Sequence, residues 1–225
     1  MGIIEKIIRY INTLLDYIYK KRCYFCGKSK EAVKMCSKCY NELCFSNYRA
    51  NRQVLGIDIY VAGLYEKTLQ KMLRGIKYHH QKELAYYQAK FMWEYFQEVL
   101  KEKEITDEFQ VIPVPLHKTR ERERGYNQMK LVAEEFCKLS GYEPNYELVK
   151  RIKKTKAQYK LTRQERLKNL HKAFSVDKTK LINGKTVLLI DDICTTGSTF
   201  ESMISELKSA GINDILCLAT SSPHW

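Results

Sequence analysis

The chain has 225 residues, with 39 Lys and Arg against 26 Asp and Glu, and a formal net charge of +13. That length can bury one sizeable core, or a medium domain plus a small accessory unit, and no repeat or low-complexity tract points to a fibrous or solenoid architecture. The positive balance points to acidic partners, either nucleic acid or a phosphorylated ligand. It is concentrated in residues 150–172, "KRIKKTKAQYKLTRQERLKNLHK", where ten Lys and Arg face a single acid, Glu165.

The opening "MGIIEKIIRYINTLLDYIYK" is hydrophobic but broken by Glu5, Lys6, Arg9 and Asp16, and no small-residue cleavage site follows. Neither a signal peptide nor a membrane span is therefore expected. Ile4, Ile7, Ile8, Ile11, Leu14, Leu15 and Ile18 recur at helical spacing, so an amphipathic helix is expected, packed on protein rather than on a membrane surface. Without an export signal, the eight cysteines are expected to stay reduced in a cytoplasmic setting.

Cys23-x2-Cys26 and Cys36-x2-Cys39 follow, nine residues apart. Two thiolate pairs on tight knuckles suit a tetrahedral zinc site better than disulfides or a redox pair, and Gly27 suits the first turn. Four thiolates leave no open position, so the metal would be structural. Cys44 is surplus and reads as a small buried hydrophobe. This N-terminal unit, residues 1–56, is expected to precede a larger domain spanning 57–225.

The larger domain begins with a strand, "IDIYVAGLY" (57–65). Leu69, Met72, Leu73 and Ile76 mark a helix to about Tyr78, and a second helix covers roughly 82–102. The aromatic residues of that second helix read as packing rather than as a base-stacking platform. From residue 109 strand and helix alternate: "FQVIPVPL", then "YNQMKLVAEEFCKLSG" closed by Gly141, then "YELVKRI". After the basic stretch come "KTVLLID", "STFESMISELKSAG" and "INDILCLATS". This order predicts a doubly wound, mostly parallel α/β sheet, with ligands beyond the carboxyl ends of its strands.

At one such end the apolar run Val187–Ile190 meets Asp191 and Asp192, then Thr195, Thr196, Gly197, Ser198 and Thr199. Ser198-x-x-Glu201 has the form of a capping box, which predicts a helix start there. A helix N-terminus with a glycine and hydroxyls is a phosphate cradle. The absence of a lysine after the glycine excludes a Walker A loop. Carboxylates beside a phosphate cup suit a ligand that also presents donors. A ribose 5-phosphate does, through its 2′- and 3′-hydroxyls.

"VLLIDDICTTGST" resembles the phosphoribosyl pyrophosphate (PRPP) signature of type I phosphoribosyltransferases. With "PVPLHKTRERERGYNQ" (113–128), "RIKKTKAQYKLTRQERLKNLHKAF" (151–174) and the four-cysteine knuckle, the chain resembles the ComF family of competence proteins and its GntX-like relatives along nearly its whole length. That resemblance implies that Asp191 and Asp192 hold the ribose hydroxyls and that Thr195–Thr199 surround the 5-phosphate. It also implies a pyrophosphate loop after Pro113 and Pro115, with Lys118, Arg120 and Arg124 as cationic contacts, although "RERERG" reads equally as a solvated charged turn. Residues 153–174 would form a mobile loop over the reacting centre. Arg151, Thr155, Gln158, Arg166 and Asn169 match recurring family positions, and Arg166 joins the two aspartates as the catalytic set.

The resemblance further implies Mg²⁺ bound with PRPP, a role in uptake of single-stranded transforming DNA, and a ComFA-like competence helicase as partner. Lys153, Lys154, Lys156, Lys160 and Arg163 are the candidate DNA contacts. One departure bears on the acceptor: where 6-oxopurine enzymes carry a base-handling aspartate in the loop, this chain has Thr195. Neither His117 nor His171 stands out as a general base. A non-catalytic zinc-finger adaptor, with PRPP as a sensed ligand, is the alternative.

Overall fold

A computed structural model describes residues 22–28, 33–153 and 172–223. The helix predicted at 1–20 lies outside them, as do Lys154, Thr155, Lys156, Gln158, Lys160, Arg163, Arg166, Asn169 and His171. Two compact units divide the chain, Met1–Leu43 and Cys44–Trp225.

In the first unit a turn carries Cys23 and Cys26, and a short helix, α1 (Ser37–Tyr40), carries Cys39 behind its N-cap Cys36. Gly27 takes φ +73°, the left-handed region that its place after the knuckle demands. Its N–H closes the turn on the Cys23 carbonyl at 2.9 Å.

The second unit is built on a six-stranded sheet, β1 (Arg52–Val54), β2 (Ile57–Leu64), β3 (Phe109–Pro113), β4 (Glu143–Pro144), β7 (Thr186–Ile193) and β8 (Ile215–Ser222). Its order is β1-β2-β8-β7-β3-β4. Every neighbouring pair is parallel except β1–β2, an antiparallel edge. The strand predicted over "YELVKRI" shortens to β5 (Val149–Arg151) and leaves the main sheet, pairing with β6 (Phe174–Val176) as a separate antiparallel ribbon.

Strand alternation sorts the core into two layers. Ile59, Val61, Val187, Leu189, Cys217 and Ala219 point to one face, where Phe200, Met203, Ile204 and Leu207 of α6 (Ser198–Ser209) join Val149 and Phe174 of the ribbon. The opposite face is covered by α2 (Lys67–Tyr78), α3 (Leu84–Glu102) and α5 (Gln128–Ser140). There most α3 aromatics pack inward, Tyr86 staying exposed: Phe96 meets Phe109 edge-on at 5.5 Å, and Trp93 meets Phe136 at 5.7 Å. The Tyr95 hydroxyl donates to the Asn47 carbonyl at 2.9 Å. The sheet is thus doubly wound, and β7 lies near its middle, buried on both faces.

Two local expectations change. Cys44 is exposed rather than buried. The segment after Pro115 is a short helix, α4 (Lys118–Arg124), because the His117 ring nitrogen caps it from the Thr119 N–H and Gly125 ends it at φ +80°. Capping is therefore what His117 does here. Among the described residues no helix is long and apolar enough to cross a membrane.

Candidate functional site

The candidate site sits at the carboxyl end of β7. Pairing with β8 runs past the two acids, with Asp191 opposite Ala219 and Ile193 opposite Ser221, and the Cys194 N–H reaches the Ser221 carbonyl at 2.8 Å. Beneath them the buried Gln88 amide donates to the Thr220 hydroxyl at 2.7 Å, and the Ser221 hydroxyl donates to the Asp192 carbonyl at 3.1 Å. These buried hydrogen bonds tie the strand end to β8 and α3.

Because successive strand residues face opposite ways, the adjacent aspartates do not form a matched pair. Asp192 turns towards the α2/α5 face and is only 7% exposed. The Lys77 ammonium binds its Oδ2 at 2.6 Å, and the Gln128 amide donates to the same oxygen. Burial alone would lower the Lys77 ammonium, but the Asp192 charge and hydrogen bond outweigh it and hold the group cationic. Tyr126 braces this side: its hydroxyl donates to the Ile76 carbonyl, and Lys82 lies over its ring at 4.7 Å. Next to it, the Asn127 side chain caps α5 from the Met129 N–H at 3.0 Å.

Asp191 has different surroundings. Its Oδ1 accepts the Asp192 N–H at 2.8 Å, and no lysine forms an ion pair with it among the described residues. Desolvation, then the neighbouring Asp192 charge, push its carboxyl up to about 7 against the pull of Lys77 and Arg151. Arg151 itself is lowered to about 10 by burial and by the Arg120 charge, with Asp191 opposing. Its guanidinium lies 5.4 Å from the Phe174 ring centre. Arg151 is thus within electrostatic reach of Asp191, and Arg120 within reach of Arg151. Lys118 is exposed on α4, and Arg124 has a buried Nη1 with no hydrogen-bond partner among the described residues.

The loop Cys194–Gly197 turns the chain into α6. Gly197, not Ser198, is the N-cap; it sits at φ +78° and makes no side-chain cap bond. The predicted capping box therefore does not form. Ser198 is the first helical residue, and its hydroxyl meets that of Thr196 at 2.6 Å. A Cβ on Gly197 would come 3.2 Å from Val54, so both space and backbone angle call for glycine. The Ser198 N–H donates to the Thr196 hydroxyl at 3.4 Å, so the first turn of α6 and the loop hydroxyls lie together at the end of β7. Thr195 and Thr196 line an open cleft of about 440 Å³ with Arg52, Gln53 and Val54.

In the N-terminal unit, the Sγ atoms of Cys23, Cys26, Cys36 and Cys39 lie within 4.8 Å of one another, a cluster able to hold a metal ion. The Cys26–Cys36 separation of 3.7 Å matches the edge of about 3.8 Å that a tetrahedron with zinc–sulfur arms requires. The Cys36 N–H already donates to the Cys23 sulfur at 3.4 Å.

Lys77, Gln128 and Arg52 were not singled out from sequence. Lys77 had a faint signal, being four residues after Leu73 on the buried stripe of α2.

Comparison with known proteins agrees with this geometry. Residues 125–221 match the phosphoribosyl transferase domain family. The chain is 27% identical over 198 residues to "Competence protein F" of Haemophilus influenzae, covering 86% of each chain. It is 27% identical over 201 residues to "Competence protein ComFC" of Bacillus subtilis, covering 87% of this chain and 75% of that protein. A shorter match, 28% over 150 residues, joins 65% of it to 64% of "DNA utilization protein YhgH" of Salmonella typhi. Competence proteins F and ComFC are thus homologues of this chain along most of its length, and the strand, acids and loop described above fall within the residues that match the phosphoribosyl transferase domain family.

Proposed function

We propose that this homologue of the competence proteins binds PRPP at the end of β7 and acts in natural competence, on transforming DNA. The observation that carries the reading is Asp191. It is an acid kept clear of a lysine partner beside a glycine-turned helix N-terminus, within a phosphoribosyl transferase domain. Asp191 accepts the ribose hydroxyls, the loop Thr195–Thr199 receives the 5-phosphate, and Arg120 and Arg151 face the pyrophosphate. Asp192 shares in this indirectly: bound by Lys77 and Gln128, it holds the strand end in place.

The reaction such a site supports is displacement at the anomeric carbon. The bond to the pyrophosphate oxygen breaks, that oxygen keeps the electron pair, and an acceptor atom bonds to the carbon. Guanidinium groups stabilise the charge on the leaving pyrophosphate, and Asp191 stabilises the positive charge on the ring. Mg²⁺, carried mainly on ligand oxygens, would add to the first effect when bound. The basic segment around Lys153 is the proposed single-strand contact, and a competence helicase the proposed protein partner. Zinc is the proposed occupant of the four-cysteine cluster, and the cytoplasm the proposed compartment.

A phosphorus NMR time course of PRPP and Mg²⁺ with the protein tests this, run alone, with single-stranded DNA, and with mixed nucleobases. Free pyrophosphate dependent on one addition identifies an enzyme and its acceptor. PRPP resonances that shift but persist under every addition favour the sensor-adaptor reading. Unperturbed resonances contradict PRPP binding itself. For the metal, analysis of the purified protein should find zinc, and Cys26→Ser should unfold the N-terminal unit while the sheet unit stays folded.

A further inference from the structure

The cleft beside the loop contains a cation that the proposed chemistry has not used. Arg52 stands at the start of β1, outside the matched residues 125–221. Its backbone is fixed by a tight hairpin. Leu55 and Gly56 both take positive φ, +52° and +78°, the two-residue turn that suits strand twist. Arg52 pairs with Ile59 across the ladder, and the preceding Asn51 side chain accepts the Val61 N–H at 2.9 Å. Lys208 of α6 donates to the Leu55 carbonyl at 2.7 Å, which ties the hairpin tip to the helix that follows the loop.

This frame brings the Arg52 side chain to the loop. Its Cδ lies 3.5 Å from where a Cβ on Gly197 would stand, and it shares the 440 Å³ cleft with Thr195 and Thr196. Its charge reaches the buried Cys194, whose thiol burial pushes up to about 11 and Arg52 pulls back. The nearby acid, Asp58, is engaged by the Gln53 amide at 2.6 Å, and among the described residues no carboxylate pairs with Arg52. An exposed arginine that lines a cleft beside a helix N-terminus matches a phosphate in both charge and fork geometry.

We infer that Arg52 is a specificity residue for the 5-phosphate end of the ligand, adding a charged side-chain contact to the cup formed by loop 195–199. The inference rests on the ribose 5-phosphate reading above and extends it. Recognition of that phosphate is shared between the matched domain and the β1–β2 hairpin outside it. Ligands lacking a terminal phosphate are then disfavoured at the cleft, independently of what Arg120 and Arg151 do at the pyrophosphate end.

Calorimetric titrations of wild type, Arg52→Gln and Arg52→Lys with PRPP, ribose 5-phosphate and inorganic pyrophosphate separate the ends. Arg52→Gln should weaken PRPP and ribose 5-phosphate by about tenfold or more, as loss of a charged hydrogen bond does. Pyrophosphate binding should be unchanged, and Arg52→Lys should recover part of the loss. Thermal unfolding of each variant, expected within a few degrees of wild type, checks that the hairpin remains folded. Unchanged ribose 5-phosphate affinity in Arg52→Gln overturns the inference. So does an equal loss for pyrophosphate, which would put Arg52 at the other end. If wild type binds neither sugar phosphate, the underlying site reading fails, and this inference with it.

Discussion

The two sides of β7 differ as a finished structure differs from a receptive one. On one side Lys77 and the Gln128 amide both bind Asp192, and Tyr126 braces them through the Ile76 carbonyl. On the other, Asp191 is crowded by burial and by its neighbour's charge, within electrostatic reach of Arg151 and beside the half-buried loop. One residue of offset along a strand produces the difference, because it reverses the face. Two identical side chains in a motif therefore have different surroundings: one is bound into the strand end, and the other is the acid proposed to meet the ligand.

The contrast breaks most visibly at Lys77. Lys77→Met should cost about 2–3 kcal/mol in urea unfolding, below the range for fully buried pairs because 18% of the lysine side chain remains exposed. In Lys77→Met with Asp192→Leu the loss should be smaller than in the single variant, since no uncompensated charge remains. An additive double variant would show that the pair is not coupled.

Asp191→Asn should do the reverse: PRPP affinity falls by about 10- to 100-fold with the fold intact. Its pH behaviour sharpens the comparison. A carboxyl raised to about 7 binds protons more tightly in the folded chain than in the unfolded one, where it titrates near its ordinary value of about 4. From about pH 4 to 7, Asp191 therefore makes stability fall as pH rises, and its full cost is present above 7. Unfolding curves at pH 5, 7 and 8 should show this slope, and Asp191→Asn should flatten it. PRPP binding should strengthen over the same window, as the acid ionises and can accept the ribose hydroxyls.

The smallest effects lie at the periphery. Thr196→Val removes the hydroxyl that meets Ser198 and should weaken PRPP by a few-fold, about one neutral hydrogen bond. Lys118→Ala, at an exposed position, should change affinity by less than about twofold.

Much of this was legible in the sequence. The alternation of apolar strands with helices pointed to the parallel sheet, and the change from Ile190 to Asp191 marked the last residues of β7, which runs on to Ile193. The cysteine spacing marked the cluster. What stayed hidden depends on contacts far apart in the chain. Lys77 and Asp192 are separated by more than a hundred residues, and neither carries a local pattern that names the other. The capping box at Ser198 failed because Gly197 took the left-handed turn first, a tertiary demand set by Val54. Arg52 was unreadable for the same reason, since only the β1–β2 hairpin brings it to the loop. Likewise "RERERG" became a helix because His117 caps it, a role that residue type alone does not reveal.

The most direct test of the account is calorimetric titration of PRPP with Mg²⁺ into wild type, Asp191→Asn and Asp192→Asn, with thermal unfolding of the same samples. The account predicts that wild type binds, that Asp191→Asn loses binding with no fall in unfolding temperature, and that Asp192→Asn mainly loses stability. Wild-type affinity in Asp191→Asn, or equal effects of the two substitutions on binding and stability, would contradict it.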